Sequence, residues 1–109
     1  MIKRELWIVE FPSKRGIEQK GIRPGIIIAD TNTDLILIIP LTSNLEALTK
    51  LPYTFGIKKS EINGLEKNSV ALILQLQTID KKRLIHKIGM LEEKDMKQIN
   101  SILKDLLKI

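Results

Sequence analysis

A chain of 109 residues, 43% hydrophobic and with a formal net charge of +5, has the length of one compact domain and too much apolar content for a disordered chain. The absence of cysteine excludes disulfide frameworks, thiolate metal sites and a Cys nucleophile. No apolar run approaches the roughly 18 residues that cross a bilayer, and Met1-Ile2-Lys3-Arg4-Glu5 meets charge at once, so neither a membrane span nor a signal peptide is expected. With aromatics at only 4%, the core must be built from Ile and Leu. The basic excess, grouped at Lys14-Arg15, Lys58-Lys59 and Lys81-Lys82-Arg83, suits a polyanion such as nucleic acid and equally suits a solvated surface.

The first two-thirds of the chain predicts strands. Leu6–Phe11 alternates, with Trp7, Val9 and Phe11 on one face. Pro12–Ile22, with Pro, Gly and several charges, predicts a loop. Pro24–Ala29 and Leu35–Thr42 are apolar runs joined by Asp30-Thr31-Asn32-Thr33-Asp34, whose Asx-rich chemistry predicts an antiparallel hairpin. Ser43–Leu51 predicts a partly helical loop, Pro52–Ile57 a short strand, and Ile62–Leu65 a turn. Ser69–Gln77 reads as the longest strand, with Val70, Leu72, Leu74 and Leu76 on one face and Ala71, Ile73, Gln75 and Gln77 on the other. Leu84–Ile88 predicts the last strand.

The period then changes. Met96, Ile99, Leu103 and Leu106 recur at three and four residues, which predicts an amphipathic helix over Glu92–Leu107. Acids at its start and lysines near its end suit the helix dipole. Short, closely spaced strands followed by a helix predict a mainly β protein with a C-terminal α element, a small barrel rather than a parallel sheet. The whole of 1–109 is expected to be one domain.

Four motifs in order carry a resemblance. Gly16-Ile17-Glu18-Gln19-Lys20-Gly21-Ile22-Arg23-Pro24 is followed by Pro40-Leu41-Thr42-Ser43. Then come Gly64-Leu65-Glu66-Lys67-Asn68-Ser69-Val70-Ala71-Leu72 and Gln75-Leu76-Gln77-Thr78-Ile79-Asp80-Lys81-Lys82-Arg83-Leu84. Together they resemble the MazF/PemK/Kid toxins, over essentially the whole chain. The resemblance implies a small SH3-like, CcdB/PemK-like β-barrel with a packed C-terminal helix, forming a homodimer. It implies a cytoplasmic, metal-independent endoribonuclease toxin that needs no cofactor. Its partners would be single-stranded RNA and a cognate antitoxin with an acidic tail.

The chain departs from the family pattern in places. Glu5 follows Arg4 where the family has R-G-D, Ile17 replaces a Ser, and Gln77 stands where the family has an Arg. These departures bear on substrate contacts.

Cutting RNA through its own 2′-hydroxyl requires a proton acceptor, a stabiliser of phosphate charge and a proton donor for the leaving oxygen. Arg23 offers a planar fork matched to phosphate oxygens. The resemblance assigns the matching Arg to acid–base work. A guanidinium with a pKa above about 12 is a poor base at neutral pH, which favours charge stabilisation. The competing reading is an Arg that pairs with Glu18 or Glu61.

Thr42 could donate its hydroxyl to a phosphate oxygen, or be an ordinary strand Thr. Ser43 beside it is a weaker candidate. Glu18 and Gln19 could orient Arg23, read a base edge, or be solvated loop residues. Gln75 could bond RNA or pair across a dimer. His86, the only histidine, lies outside the family's catalytic motif and is expected at the surface or facing phosphate. No metal-ligand spacing and no phosphate-binding Gly loop is present. The alternatives in other classes are a CcdB-like poison of DNA gyrase, whose branch lacks the Glu18-Gln19…Arg23-Pro24 loop, and a non-catalytic SH3-like binding module.

Overall fold

In the computed structural model the described residues are 3–12 and 21–109. The element order is β1 (Glu5–Phe11), β2 (Gly21–Asp30), β3 (Leu35–Thr42), α1 (Ala47–Lys50), β4 (Thr54–Ile57), β5 (Ser69–Leu72), β6 (Gln77–Asp80), β7 (Leu84–Met90) and α2 (Glu93–Leu107). The strands form one antiparallel sheet in the order β4-β5-β3-β2-β1-β7, with β6 also paired to β3.

Connection length forces this sheet to curl. β6 lies beyond β3 and β7 lies beyond β1, four strand spacings apart. Flat, that separation would be about 19 Å at about 4.8 Å per spacing. Only Lys81–Arg83, a single 3-10 turn, joins the two strands. At about 2 Å of rise per residue such a turn covers less than half of that span. The sheet therefore rolls until Ile79 of β6 and Leu84 of β7 meet Val9, Phe11, Ile27, Ile36 and Ile38 in one enclosed cluster. This is the barrel that the short strands predict.

Strand alternation supplies a second core. Leu6, Ile26, Ile39 and Leu41 pack with Met96, Ile99 and Leu103, the stripe of α2. Neighbouring residues of one strand thus enter different cores, as a period of two requires. The helix starts one residue later than expected, at Glu93 with Glu92 as its N-cap, and ends at Leu107 as expected, with Lys108 as a left-handed C-cap.

One expected strand is overturned. Ser69–Gln77 is not continuous: β5 ends at Leu72, Ile73–Gln75 forms a 3-10 turn, and β6 begins at Gln77. Both halves pair with β3, Leu41 opposite Ala71 and Ile38 opposite Gln77, so the register shifts by three residues between them. Pro40 sits in β3 at this gap and brings no N–H to the ladder. The expected faces fail with the strand. Leu74 is 54% exposed while Val70 and Leu72 are buried.

The hairpin turn is an Asx turn, with Asn32 at φ 59° and its N–H donated to Asp30 Oδ1 at 2.9 Å. Lys81 Nζ lies 2.7 Å from the same oxygen and ties β6 back to the turn. The Lys81 ammonium, helped by the Asn32 N–H, holds the Asp30 carboxyl below its ordinary value. A carboxyl depressed in the folded state contributes stability above its unfolded pKa of about 3.9 and loses it as pH falls through the lower folded value. We expect the stability gap between the native chain and Asp30→Asn to be full at neutral pH and to close below about pH 4. Urea titrations at several pH values check this; a gap that does not change with pH is the contrary result.

Candidate functional site

The site begins at the hinge of three strands. On β1, Val9 pairs with Arg23 of β2, and Ile8 pairs with Pro24 on one side and His86 of β7 on the other. On the far side of β2, the last ladder pair with β3 is Gly25 opposite Pro40. Continuing that register by two residues brings Arg23 opposite Thr42. Two motifs distant in sequence are therefore neighbours because β2 and β3 form a hairpin.

Here the structure opens a pocket of about 550 Å³. That is within the size range of small-ligand sites. It is lined by Ile8 of β1, Ile22, Arg23 and Pro24 of β2, Thr42, Ser43 and Asn44 at the end of β3, the Gly64–Lys67 segment, and His86 and Ile88 of β7.

Arg23 is half-buried, and burial lowers its pKa from the ordinary arginine value. A partly desolvated guanidinium interacts more strongly with a phosphate than a fully hydrated one. Thr42 Oγ1 accepts the Asn44 N–H at 3.1 Å, so the hydroxyl is held in place and its own proton is directed elsewhere. Asn44 in turn accepts the Glu46 N–H at 3.2 Å and fixes the turn that presents Ser43.

The Gly64 rim is built by a buried amide. Asn63 Oδ1 accepts the N–H groups of Ser60 and Leu65, both at 3.0 Å, and its Nδ2 donates to the Lys58 carbonyl at 2.9 Å. Met90 N–H donates to the Ile62 carbonyl at 3.0 Å and docks this turn on β7. Gly64 has φ +71°, and a Cβ there would overlap the carbonyl oxygen of Ile88. Only glycine fits.

The structure thus brings Arg23, Thr42 and Ser43 together. Glu18, Gln19 and the Lys14-Arg15 pair lie outside the described residues. Gln75 lines a separate hollow of about 40 Å³ with Leu51, Pro52, Thr54, Leu72 and Leu74. Gln77, where the resemblance expects an Arg, is 9% exposed and donates Nε2 to the Gln75 carbonyl at 3.2 Å, bracing the 3-10 turn. Burying a charge at this position would cost far more than burying a neutral amide.

Glu5 is also internal: it accepts the Trp7 indole N–H at 2.9 Å and the Lys87 ammonium at 3.4 Å. Several basic groups are drawn into such pairs, Lys81 with Asp30 and Arg83 with Glu10. Lys67 and His86 instead line the pocket, together with Glu66. Sequence reasoning did not single out Lys67 or Glu66 as site residues, although they lie within the Gly64–Leu72 motif. Among the described residues no three of His, Asp and Glu are grouped to hold a metal ion, and no helix is long and apolar enough to cross a membrane.

A small curled antiparallel barrel closed by a C-terminal helix, with Arg23 and Thr42 lining one pocket at its rim, defines the class of fold. A family model of PemK-like, MazF-like toxins of type II toxin-antitoxin systems matches residues 3–107, and the chain belongs to that family. The chain is 33% identical over 105 residues to the endoribonuclease MazF of Staphylococcus saprophyticus, covering 93% of this chain and 86% of that one. Among solved structures it is similar to MazF of Deinococcus radiodurans, with a TM-score of 0.77 at 19% identity, covering 98% and 94% of the two chains. It is also similar to the toxin MazF-mt6 of Mycobacterium tuberculosis, with a TM-score of 0.74 at 19% identity and coverage of 97% and 98%. A mycobacterial endoribonuclease solved in complex with its cognate antitoxin has a TM-score of 0.72 at 16% identity, covering 100% of this chain and 94% of the other.

Proposed function

We propose that this toxin is an endoribonuclease that cuts single-stranded RNA in the Arg23–Thr42 pocket, in the cytoplasm, without a metal or cofactor. The observation that carries the reading is the convergence of Arg23, Thr42 and Ser43 on one pocket sized for a ligand. The family membership and the relative named as an endoribonuclease support it. The gyrase-poison and binding-module readings have no comparable support.

In this reading the RNA 2′-oxygen is the nucleophile. It attacks the adjacent phosphorus as the bond to the 5′-oxygen breaks, leaving a 2′,3′-cyclic phosphate and a 5′-hydroxyl. Arg23 bears on the non-bridging oxygens, where charge grows in the transition state. Thr42 donates its hydroxyl to one of them, and Ser43 contacts the same strand of RNA. Glu18 and Gln19, on the segment before β2, orient Arg23 or read a base edge. Gln75, away from the pocket, contacts RNA further along or a second copy of the chain.

The toxin acts as a homodimer and is neutralised by a cognate antitoxin. The antitoxin complex of the similar mycobacterial endoribonuclease supports the second statement. A net charge of +5 is complemented by an acidic antitoxin tail that competes with RNA and binds less tightly as salt rises.

Purified protein incubated with RNA in EDTA is expected to cleave it, with cyclic phosphate ends detected by mass spectrometry. Activity that vanishes in EDTA and returns with magnesium would overturn the mechanism.

A further inference from the structure

A threonine hydroxyl on a strand has no fixed aim. Its oxygen accepts, its proton donates, and χ1 decides what it faces. The role of Thr42 at the phosphate needs one aim only. We infer that Asn44 is the positioning residue that aims the Thr42 hydroxyl, through its own backbone N–H and the turn that its side chain caps, an assignment that rests on the Arg23–Thr42 reading.

The other threonines show what is unusual at Thr42. Thr31 gives its hydroxyl proton to the Leu35 carbonyl at 2.6 Å, Thr49 to the Glu46 carbonyl at 3.1 Å and Thr54 to the Leu51 carbonyl at 3.4 Å. Those protons are used inside the fold. Thr42 is bonded the other way round. Its Oγ1 accepts the Asn44 N–H at 3.1 Å, and no described residue takes its proton. One lone pair is occupied, so the side chain is held while the donor stays open to a ligand.

What holds the Asn44 N–H is the bonding of Asn44 itself. Its Oδ1 accepts the Glu46 N–H at 3.2 Å and its carbonyl accepts the Ala47 N–H at 3.2 Å, as in a residue that caps a helical turn. With two acceptors of one residue bound to the turn, its backbone has little freedom to rotate. Ala47 anchors the far end of the turn, buried with Val70 and Leu72 of β5. Val70 is in turn the ladder partner of Thr42. The path from Thr42 through Asn44 and Ala47 to Val70 thus closes on the strand pair where it began. The strand pair fixes where Thr42 sits, and the capped turn fixes what its hydroxyl faces.

The test separates the capping oxygen from the rest of the side chain. Asn44→Ala removes that oxygen and is expected to lower kcat for RNA cleavage about 10-fold, the weight of one ordinary hydrogen bond. KM should stay close to native, because Thr42 bears on charge that grows in the transition state. Asn44→Ser restores a capping oxygen without an amide and is expected to recover most of the rate. A serine variant as slow as the alanine one overturns the assignment in favour of a direct contact between the amide and RNA. A double-mutant cycle with Thr42→Val, which keeps the branched shape and loses the hydroxyl, is the second check. Thr42→Val alone should be about 10²-fold slower, the weight of one donor to transition-state charge. Adding Asn44→Ala to it should slow cleavage no further, since no hydroxyl is left to aim. Additive losses, or a native kcat in Asn44→Ala, overturn the role of Asn44. Native activity in Thr42→Val overturns instead the Arg23–Thr42 reading beneath it. Thermal unfolding measured beside each rate keeps a loss of fold apart from a loss of aim.

Discussion

Arg23→Ala is expected to lose about 10²–10³ in cleavage rate, the typical weight of one preorganised stabiliser of transition-state charge. The fold should survive, because Arg23 is half-buried, lies beyond the last β2–β3 pair and belongs to neither apolar core. Arg23→Lys is the sharper variant. It keeps the positive charge and loses the planar fork that meets two phosphate oxygens at once. A lysine enzyme with an intermediate rate would assign part of the effect to charge and part to geometry. RNA cleavage rates measured beside thermal unfolding keep a catalytic loss apart from a folding loss. An Arg23→Ala enzyme with native activity would remove the pocket from the mechanism.

The second large effect is expected far from any charge. Gly64→Ala places a methyl group against the Ile88 carbonyl oxygen and imposes φ +71° on a residue with a Cβ. The left-handed conformation alone costs about 1–2 kcal/mol for such a residue. Forcing atoms into packed space adds about 1–3 kcal/mol. The obstacle is backbone, so no side chain can swing away. We expect a total loss of about 2–5 kcal/mol by urea unfolding. Activity should fall even in molecules that remain folded, because the Gly64–Lys67 rim must shift off β7. Gly21→Ala is a control: it also has positive φ, +92°, but none of the described residues comes within 4 Å of its Cβ position. It should show the conformational cost without the clash. Equal losses at the two glycines would mean that the rim contact contributes nothing.

Much of the site was legible in the chain itself. Arg23 and Thr42 stand in motifs whose residue types suit phosphate, and the structure places them on facing ends of one hairpin. The reading of Gln75 was limited by a wrong strand. Alternation from Ser69 to Gln77 is good β pattern, but apolar residues occupy both faces, so periodicity cannot reveal a break. The break lies where Pro40 interrupts the neighbouring strand, information held some thirty residues away. The place of His86 in the pocket lining was illegible for a related reason. A lone histidine in a basic strand carries no local signal, and its meaning comes from being bonded to β1 opposite Ile8.

Local chemistry determined what each segment could be. Alternating Ile and Leu made strands, the Asp30–Asp34 run made a turn, and the Met96–Leu103 stripe made a helix, because each depends on neighbours within a few residues. The tertiary structure decided which strands became neighbours. The three-residue Lys81–Arg83 link is too short for a flat sheet, so the sheet closed on itself and carried β7 to the edge of β1. That closure brought His86, the Gly64–Lys67 rim and the Arg23–Thr42 hairpin end around one pocket. Such a set of contacts depends on chain connectivity and excluded volume over the whole fold, which no local pattern encodes.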